Sequence, residues 1–397
     1  MKRTEWSILA ICCFGFLLRV GYMTFFIPDL TFPDEERIFE TAVNILSSGQ
    51  MEWGRFRAWD MPLMPLLTAF GLLAGDGNIY AVKLILVLLS SATIYLVARI
   101  TGLITDSRCA PVIAAMLTAI YPFFVFFSGL VLTETLFLFF FALSLSLLFN
   151  RSNYATLLTG VSSALAQLTR PTILYFMPVI WIWQLWLQHI PLRKVIVGAV
   201  LFCCLVSVWG ARNYLVLGEF MFITSNSGQV LWEGNNPWNK TGGTSGDFSD
   251  KDAYLEPFPD SLAEIELDRA KRSKAIEYIL THPGNTVRLA LLKFKRFWSL
   301  TPNSRQHQNA YLKIISILSF GPILVCALVT TFTSRDCFKR YSVFYAFVGY
   351  YTLLHMITIG SLRYRLPVDL VLIILASISL GRLYDWALCK TQNPRIR

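Results

Sequence analysis

Residues Cys109 to Phe149 read CAPVIAAMLTAIYPFFVFFSGLVLTETLFLFFFALSLSLLF, and across these 41 positions Glu134 is the one charged residue. Two apolar runs of helical length, 109–127 and 131–149, stand here with three residues between them. A bilayer admits helices or closed barrels, because unpaired backbone amides are costly in hydrocarbon, and these runs are too long and too uniformly apolar for barrel strands. The same texture extends over the whole chain of 397 residues, which is 55% hydrophobic, 14% aromatic and only 15% charged. Ordinary soluble domains carry about a quarter charged residues. The sequence therefore predicts an all-α polytopic membrane protein with about ten transmembrane helices. They fall near residues 5–26, 80–103, 109–127, 131–149, 155–169, 172–188, 195–212, 311–332, 341–358 and 366–388.

Short-loop lysines and arginines, which are retained in the cytoplasm during insertion, set the orientation. Lys2, Arg3, Arg99, Arg108, Arg151, Arg193, Lys194, the 335–340 cluster and Lys390 to Arg397 all fall on one face under this count. Both termini are then expected in the cytoplasm, with the first run kept as a signal anchor. The net charge of +10 is accounted for by orientation and by attraction to anionic lipid, so it is no argument for nucleic acid. All eight cysteines fall in spans or cytoplasmic loops, which leaves the opposite face without disulfides.

Three parts follow: an N-terminal transmembrane module, 1–212, with a first outer loop at 27–79; a large extracytoplasmic loop, 213–310; and a C-terminal transmembrane module, 311–397. The apolar run 62–74 is short for a crossing, and counting it as one would invert the charge asymmetry of every later loop. It is expected in the interface or as a re-entrant helix. The first outer loop carries Pro33-Asp34-Glu35-Glu36-Arg37 ahead of an apolar periodicity through Ala42, Val43, Ile45 and Leu46 to Gly49. That pattern predicts a short amphipathic helix opened by proline and by acids that suit the helix dipole. Acids serve many helix starts in that way. Their place beside the first span, where lipid-linked substrates would sit, makes Asp34 and Glu35 functional candidates as well.

Further motifs accompany them in order: Arg57 with Pro62-Leu-Met-Pro65, Thr133-Glu134, Thr169-Arg170-Pro171, Arg212-Asn213-Tyr214, Asn226-Ser-Gly228, Gly234-Asn-Asn-Pro237, His282-Pro283 and Arg363-Tyr-Arg-Leu-Pro367. With this ordered set the chain resembles the membrane-embedded C-type glycosyltransferases (the GT-C fold). The branch is that of dolichyl-phosphate-mannose protein mannosyltransferases, family 39, and of the lipid A aminoarabinose transferase. The resemblance implies a sugar donor carried on a polyprenyl phosphate, undecaprenyl or dolichyl. It implies inverting transfer to a glycolipid, glycan or protein acceptor on the non-cytoplasmic face, as in a bacterial inner membrane. By resemblance Asp34 matches the catalytic acid and is the candidate base, with Glu35 hydrogen-bonding the acceptor or orienting a donor-binding side chain. A phosphate leaves as a stable anion, so a second acid is not required.

Glu134 stands as a candidate for the acceptor or for a divalent metal, a cofactor the sequence does not require. It equally suits a helix start capped by Thr133. Donor phosphate calls for arginines, whose planar fork matches phosphate oxygens. Arg57, Arg170, Arg212, Arg363 and Arg365 are the candidates, with Arg363 and Arg365 foremost, supported by Tyr364 and His355. An amphipathic helix is expected over 262–280, a basic-aromatic anchor at Lys293 to Trp298, and a lid in the polar tract 235–252. Asp250-Lys-Asp252 and the Asn239-Lys-Thr241 sequon lack a supporting context. Two other classes share the polytopic pattern. A lipid-linked sugar flippase or transporter should show repeats or helices interrupted near the midplane. An O-antigen polymerase or ligase should centre its chemistry on the large loop's arginines and histidine.

Overall fold

The computed structural model describes residues 2–150, 152–244, 258–259, 261–303, 309–333 and 338–392. Arg151, Asp250-Lys-Asp252, residues 334–337 and the end beyond Gln392 lie outside the described residues. The described chain is helical throughout, with one isolated β-bridge between Trp53 and Phe56. Its helices are α1 (Lys2–Phe26), α2 (Pro33–Ser48), α3 (Leu63–Ala74), α4 (Ile79–Ile104), α5 (Ala110–Ile120), α6 (Pro122–Ser128), α7 (Thr133–Leu148) and α8 (Ala155–Thr169). After a 3-10 turn at Leu174–Phe176 come α9 (Met177–Trp186), α10 (Leu192–Leu217), α11 (Ser227–Gly234), α12 (Glu264–Thr281), α13 (Pro283–Phe297), α14 (Ala310–Thr333), α15 (Phe338–Ile357) and α16 (Leu362–Gln392).

Five helices, α1, α4, α10, α14 and α16, are long and apolar enough to cross a membrane, and the α5–α6 pair, bent by 55°, makes a sixth if it is one broken span. These are the helices of a multi-pass membrane protein. Ten crossings are expected, and at the other four places the helices are shorter or less apolar. Helices form at all the remaining places, but α7, α8 and α9 have 16, 15 and 10 residues. At 1.5 Å per residue these reach about 24 Å or less, short of a hydrocarbon core of about 30 Å. At α15 length suffices, but Lys339, Arg340 and His355 make it less apolar than the other long helices. A run of apolar residues marks burial in protein as well as in lipid. With 12 residues, about 18 Å, α3 is too short to cross, and it packs on α2 and α4.

The break between α5 and α6 comes from Pro122, which has no N–H for the carbonyl of Thr118. Arg19 of α1 supplies the missing donors. Fully buried, it donates Nη2 to Thr118 O (3.1 Å), Nη1 to Ala119 O (2.9 Å) and Nε to Ser90 Oγ (2.8 Å). Lys83 does the same for the end of α1, donating Nζ to the carbonyls of Ile27 (2.7 Å) and Asp29 (2.9 Å). Both are buried cations that face helix-end carbonyls, where the macrodipole is negative. At the core lies α16, buried along most of its length, whereas α1 leaves Leu17, Phe25 and Phe26 exposed as a lipid-facing flank would.

Replacement of Arg19 by Met keeps the volume and strands the carbonyls at the end of α5. At about 1–3 kcal/mol for each buried acceptor left unpaired, thermal unfolding in detergent should show a loss of stability that an Arg99→Met control does not.

Candidate active site

The start of α2 is fixed by Glu35. Its carboxylate accepts from the N–H of Thr31 (2.9 Å) and of Phe32 (3.1 Å), from the Thr31 hydroxyl (3.0 Å), and from the N–H of Val131 (2.7 Å) ahead of α7. With four donors and no exposed surface, Glu35 has no free acceptor directed at solvent. The expected contact with an acceptor substrate is closed to it; its place is to tie the start of α2 to the start of α7. The other end of α2 stops at Gly49, whose φ of 72° is the left-handed conformation that ends helices.

One helical step earlier, Asp34 opens outward. Its Oδ1 accepts from Arg37 Nη1 at 2.6 Å and its Oδ2 from Arg363 Nη1 at 2.6 Å. Arg363, in the first turn of α16, also donates through Nε and Nη2 to the two carboxylate oxygens of Glu134, and Arg170 donates Nη1 to the same Glu134 at 3.0 Å. On the other side Arg37 grips Asp60 with two bonds, 2.9 and 3.1 Å. The result is a row of alternating charge: Asp60, Arg37, Asp34, Arg363, Glu134, Arg170. It joins α2, the segment before α3, α7, the end of α8 and the start of α16. Exposure is concentrated at Asp34 (36% of its side chain) and Arg363 (28%), while Glu134 is at 1%. The row thus opens at one point. Burial raises the affinity of Asp34 for a proton, but Arg363 and Arg37 outweigh it and hold the carboxyl well below the usual range; burial keeps Asp60 above its ordinary value despite Arg37.

Of the expected arginines, Arg170 and Arg363 meet here and three others do not. Arg365 is fully buried, bonded to Asp369 (2.8 Å) and to the carbonyls of Phe297 and Ser299, with its guanidinium 3.5 Å from the Phe320 ring. It faces the core because both arginines are helical, and two residues turn a side chain by about 200°. Arg212 donates to the carbonyls of Arg57 (2.6 Å) and Met51 (3.0 Å) and lies over Trp209, so it clamps backbone. Arg57 is half exposed beside Glu52, at 3.7 Å. Tyr364 lies under Arg170, 5.2 Å from guanidinium to ring, and stacks on buried His355 at 5.1 Å. These two back the row and are not its charged members. Arg37 and Asp60 were missed. Arg37 could have been found as the i+3 partner of Asp34, whereas Asp60 carries no local signal.

The second polar segment reaches the row at both flanks. Glu264, at the start of α12, accepts from the N–H of Arg57 (2.6 Å) and Ala58 (2.9 Å), three and two residues before Asp60. Lys293 of α13 donates Nζ to Asn235 Oδ1 (2.9 Å) and to the carbonyl of Ile357 (3.0 Å), close to the start of α16. Among the described residues no carboxylate accompanies Lys293, and burial lowers it to about 7. The tract expected to be a lid is, over 235–244, a built turn: Asn235, Asn236 and Asn239 are buried, and Asn239 Nδ2 donates to the carbonyls of Glu233 and Gly243. Its remainder lies outside the described residues.

Among the described residues no group of three or more His, Cys, Asp or Glu side chains could hold a metal. Glu134, the candidate for one, is gripped by two guanidiniums, a donor set that repels a cation.

No family model and no curated protein matches the chain. Among solved structures it is similar to ArnT from Cupriavidus metallidurans in the apo state, with a TM-score of 0.41 and 13% identity over 99% of this chain and 80% of that one. It is similar also to ArnT from the same organism bound to undecaprenyl phosphate, with a TM-score of 0.41 and 12% identity over 99% and 81%.

Stability should report Lys293 directly. Its folded value lies below that of the unfolded chain, so between about pH 7 and pH 10 the unfolded state binds more protons and stability rises with pH; below 7 the burial cost is fully present. Lys293→Met should remove this rise, read as the difference in unfolding temperature between pH 7 and pH 9.

Proposed function

We propose that the chain transfers a sugar from a polyprenyl-phosphate donor to a hydroxyl acceptor at the membrane surface, with inversion. The observation that carries this reading is the shared hold of Arg363 on Asp34 and Glu134, which sets a partly exposed carboxylate beside a phosphate-matching fork. The ordered motif resemblance across the sequence supports the same reading. Asp34 takes the proton of the attacking hydroxyl; the bond from the anomeric carbon to the phosphate oxygen breaks as the new glycosidic bond forms. The polyprenyl phosphate leaves as an anion held by Arg363 and Arg170.

Gating follows from the electrostatics. A carboxylate bridging two arginines is a weak base. Donor phosphate competes for Arg363, loosens its bond to Asp34 and adds negative charge nearby, and both effects raise the carboxyl toward a useful value. Binding of the first substrate thereby prepares the base for the second. The acceptor hydroxyl belongs to a glycolipid, glycan or protein, and the face is the non-cytoplasmic one by the distribution of short-loop cations.

The α5–α6 break favours a second reading, a flippase for lipid-linked sugars, since interrupted helices line transport sites. Tyr121 at that break is buried and donates its hydroxyl to Asp369 (2.8 Å), itself paired with Arg365, which fills the interruption with protein.

Purified protein incubated with a panel of radiolabelled polyprenyl-phosphate sugars and extracted membrane acceptors should transfer label. Asp34→Asn should reduce transfer by about 10²- to 10⁴-fold with donor binding retained; full activity in this variant would sink the assignment, and donor translocation without transfer would favour the flippase. Arg363→Ala should weaken donor binding while Arg365→Ala does not act through donor contact. In the pH profiles, the acid limb of kcat, which reports the donor complex, should lie at higher pH than that of kcat/KM, which reports the free protein.

A further inference from the structure

At the end of the helices away from the ion row, α8 and α10 enclose a cavity of about 210 Å3, lined by Asn153, Thr156, Leu157, Arg193, Lys194 and Val197. From Ala155 to Thr169 α8 runs 15 residues, so about 22 Å separates this cavity from the Arg170 end. Its origin is the close crossing of the two helices. A methyl group on Gly160 would stand 2.1 Å from the carbonyl oxygen of Gly198, and one on Gly198 would stand 2.8 Å from that of Thr156. Glycine lets the backbones touch there. The cavity's lining residues lie within about two turns before these glycines on each helix.

The lining has one sign of charge. Among the described residues neither Arg193 nor Lys194 makes an ion pair; Lys194 Nζ instead reaches Asn153 Oδ1 across the gap at 3.4 Å. Both helices begin here without a side-chain cap, which leaves their positive dipole ends unanswered. Leu157 and Val197 form apolar walls, and their sequence neighbours Tyr154, Leu158, Leu192 and Ile196 are exposed. Two exposed or half-exposed cations, an amide and a buried hydroxyl lining a cavity with apolar walls match an amphiphile with an anionic head. Cations that merely snorkel to bulk headgroups need no such cavity, and this one far exceeds the roughly 10–15 Å3 that a single water requires.

We propose that the α8–α10 cavity binds the phosphate headgroup of an anionic membrane phospholipid, with Arg193 and Lys194 on the phosphate and Thr156 and Asn153 as polar supports. The lipid's chains lie along Leu157 and Val197 toward their exposed apolar neighbours. The site is independent of the proposed transfer reaction. It sits on the side where short-loop cations are expected to face the anionic cytoplasmic leaflet.

The test titrates the purified full chain in neutral detergent with phosphatidylglycerol, with phosphatidylcholine of the same chain length, and with glycerol phosphate alone, counting bound lipid by native mass spectrometry. Phosphatidylglycerol should bind preferentially. Arg193→Gln combined with Lys194→Gln should weaken it by about 30-fold, the effect of two cations at about 1 kcal/mol each. Val197→Trp, at a position 47% exposed, should fill the cavity and weaken binding with both cations in place. Unchanged affinity in either variant would overturn the cavity as the site. Glycerol phosphate binding as tightly as the lipid would also overturn it, in favour of a site for free phosphate.

Discussion

One guanidinium, that of Arg363, lies between two carboxylates that arrive from distant parts of the chain. Asp34 and Glu134 carry like charges, and without a cation between them their proximity in a poorly hydrated place would cost several kcal/mol. The planar fork answers both at once, through Nη1 to Asp34 and through Nε and Nη2 to Glu134. Breaking such an arrangement by removing one member leaves an uncompensated buried charge. Around it the fold is built to deliver four helix ends to one place. Glu35 registers α2 against α7, Lys83 holds the end of α1 and the segment leading into α2, and the first turn of α16 lies over both acids.

Neutralisation of the row has a chemical consequence. Three acids alternate with three arginines, so the resting site has little net charge and a carboxylate that accepts from a guanidinium on each oxygen. An anion that enters at the exposed point must displace one of these bonds to gain a guanidinium, and the group most open to exchange is the pair of Asp34 and Arg363. Glu134, at 1% exposure and held also by Arg170, keeps its partner. In the proposed reaction the difference in burial divides the labour between the two acids: one is released to take a proton, the other keeps the fork oriented.

How much of this could be read in advance depends on the range of the interaction. The span of α2 was legible because its signals are local: Pro33 at the first turn, apolar spacing, and Gly49 past the end. That Asp34, Glu134, Arg170 and Arg363 are ionisable residues beside apolar runs was legible in the sequence. Their pairing was not, since Asp34 and Arg363 are 329 residues apart. Asp34 with Glu35, and Arg363 with Arg365, read as pairs by their adjacency in sequence, but neighbours on a helix diverge by about 100° and residues two apart by about 200°. Once the helix is taken to begin at Leu362, one arginine must face the site and the other the core. Where ten crossings are expected, apolarity and length part company: α7 is apolar enough for lipid but has only 16 residues and is largely buried in protein.

The second polar segment contributes no charged member of the row and yet bears on both its ends. Glu264 holds the amides of Arg57 and Ala58, and Ser225 N–H bonds the Ala58 carbonyl at 2.9 Å, so the segment that carries Asp60 is clamped from α12. Lys293 and Arg296 of α13 hold the carbonyls of Ile357 and Gly360, the residues that lead into Arg363. Helices α12 and α13 are consecutive, joined at His282-Pro283. A shift of this helical pair would therefore move Asp60 and Arg363 together, and with them both arginines that hold Asp34. The row's geometry is set by contacts outside it, and its most exposed acid is the residue on which the two clamps converge.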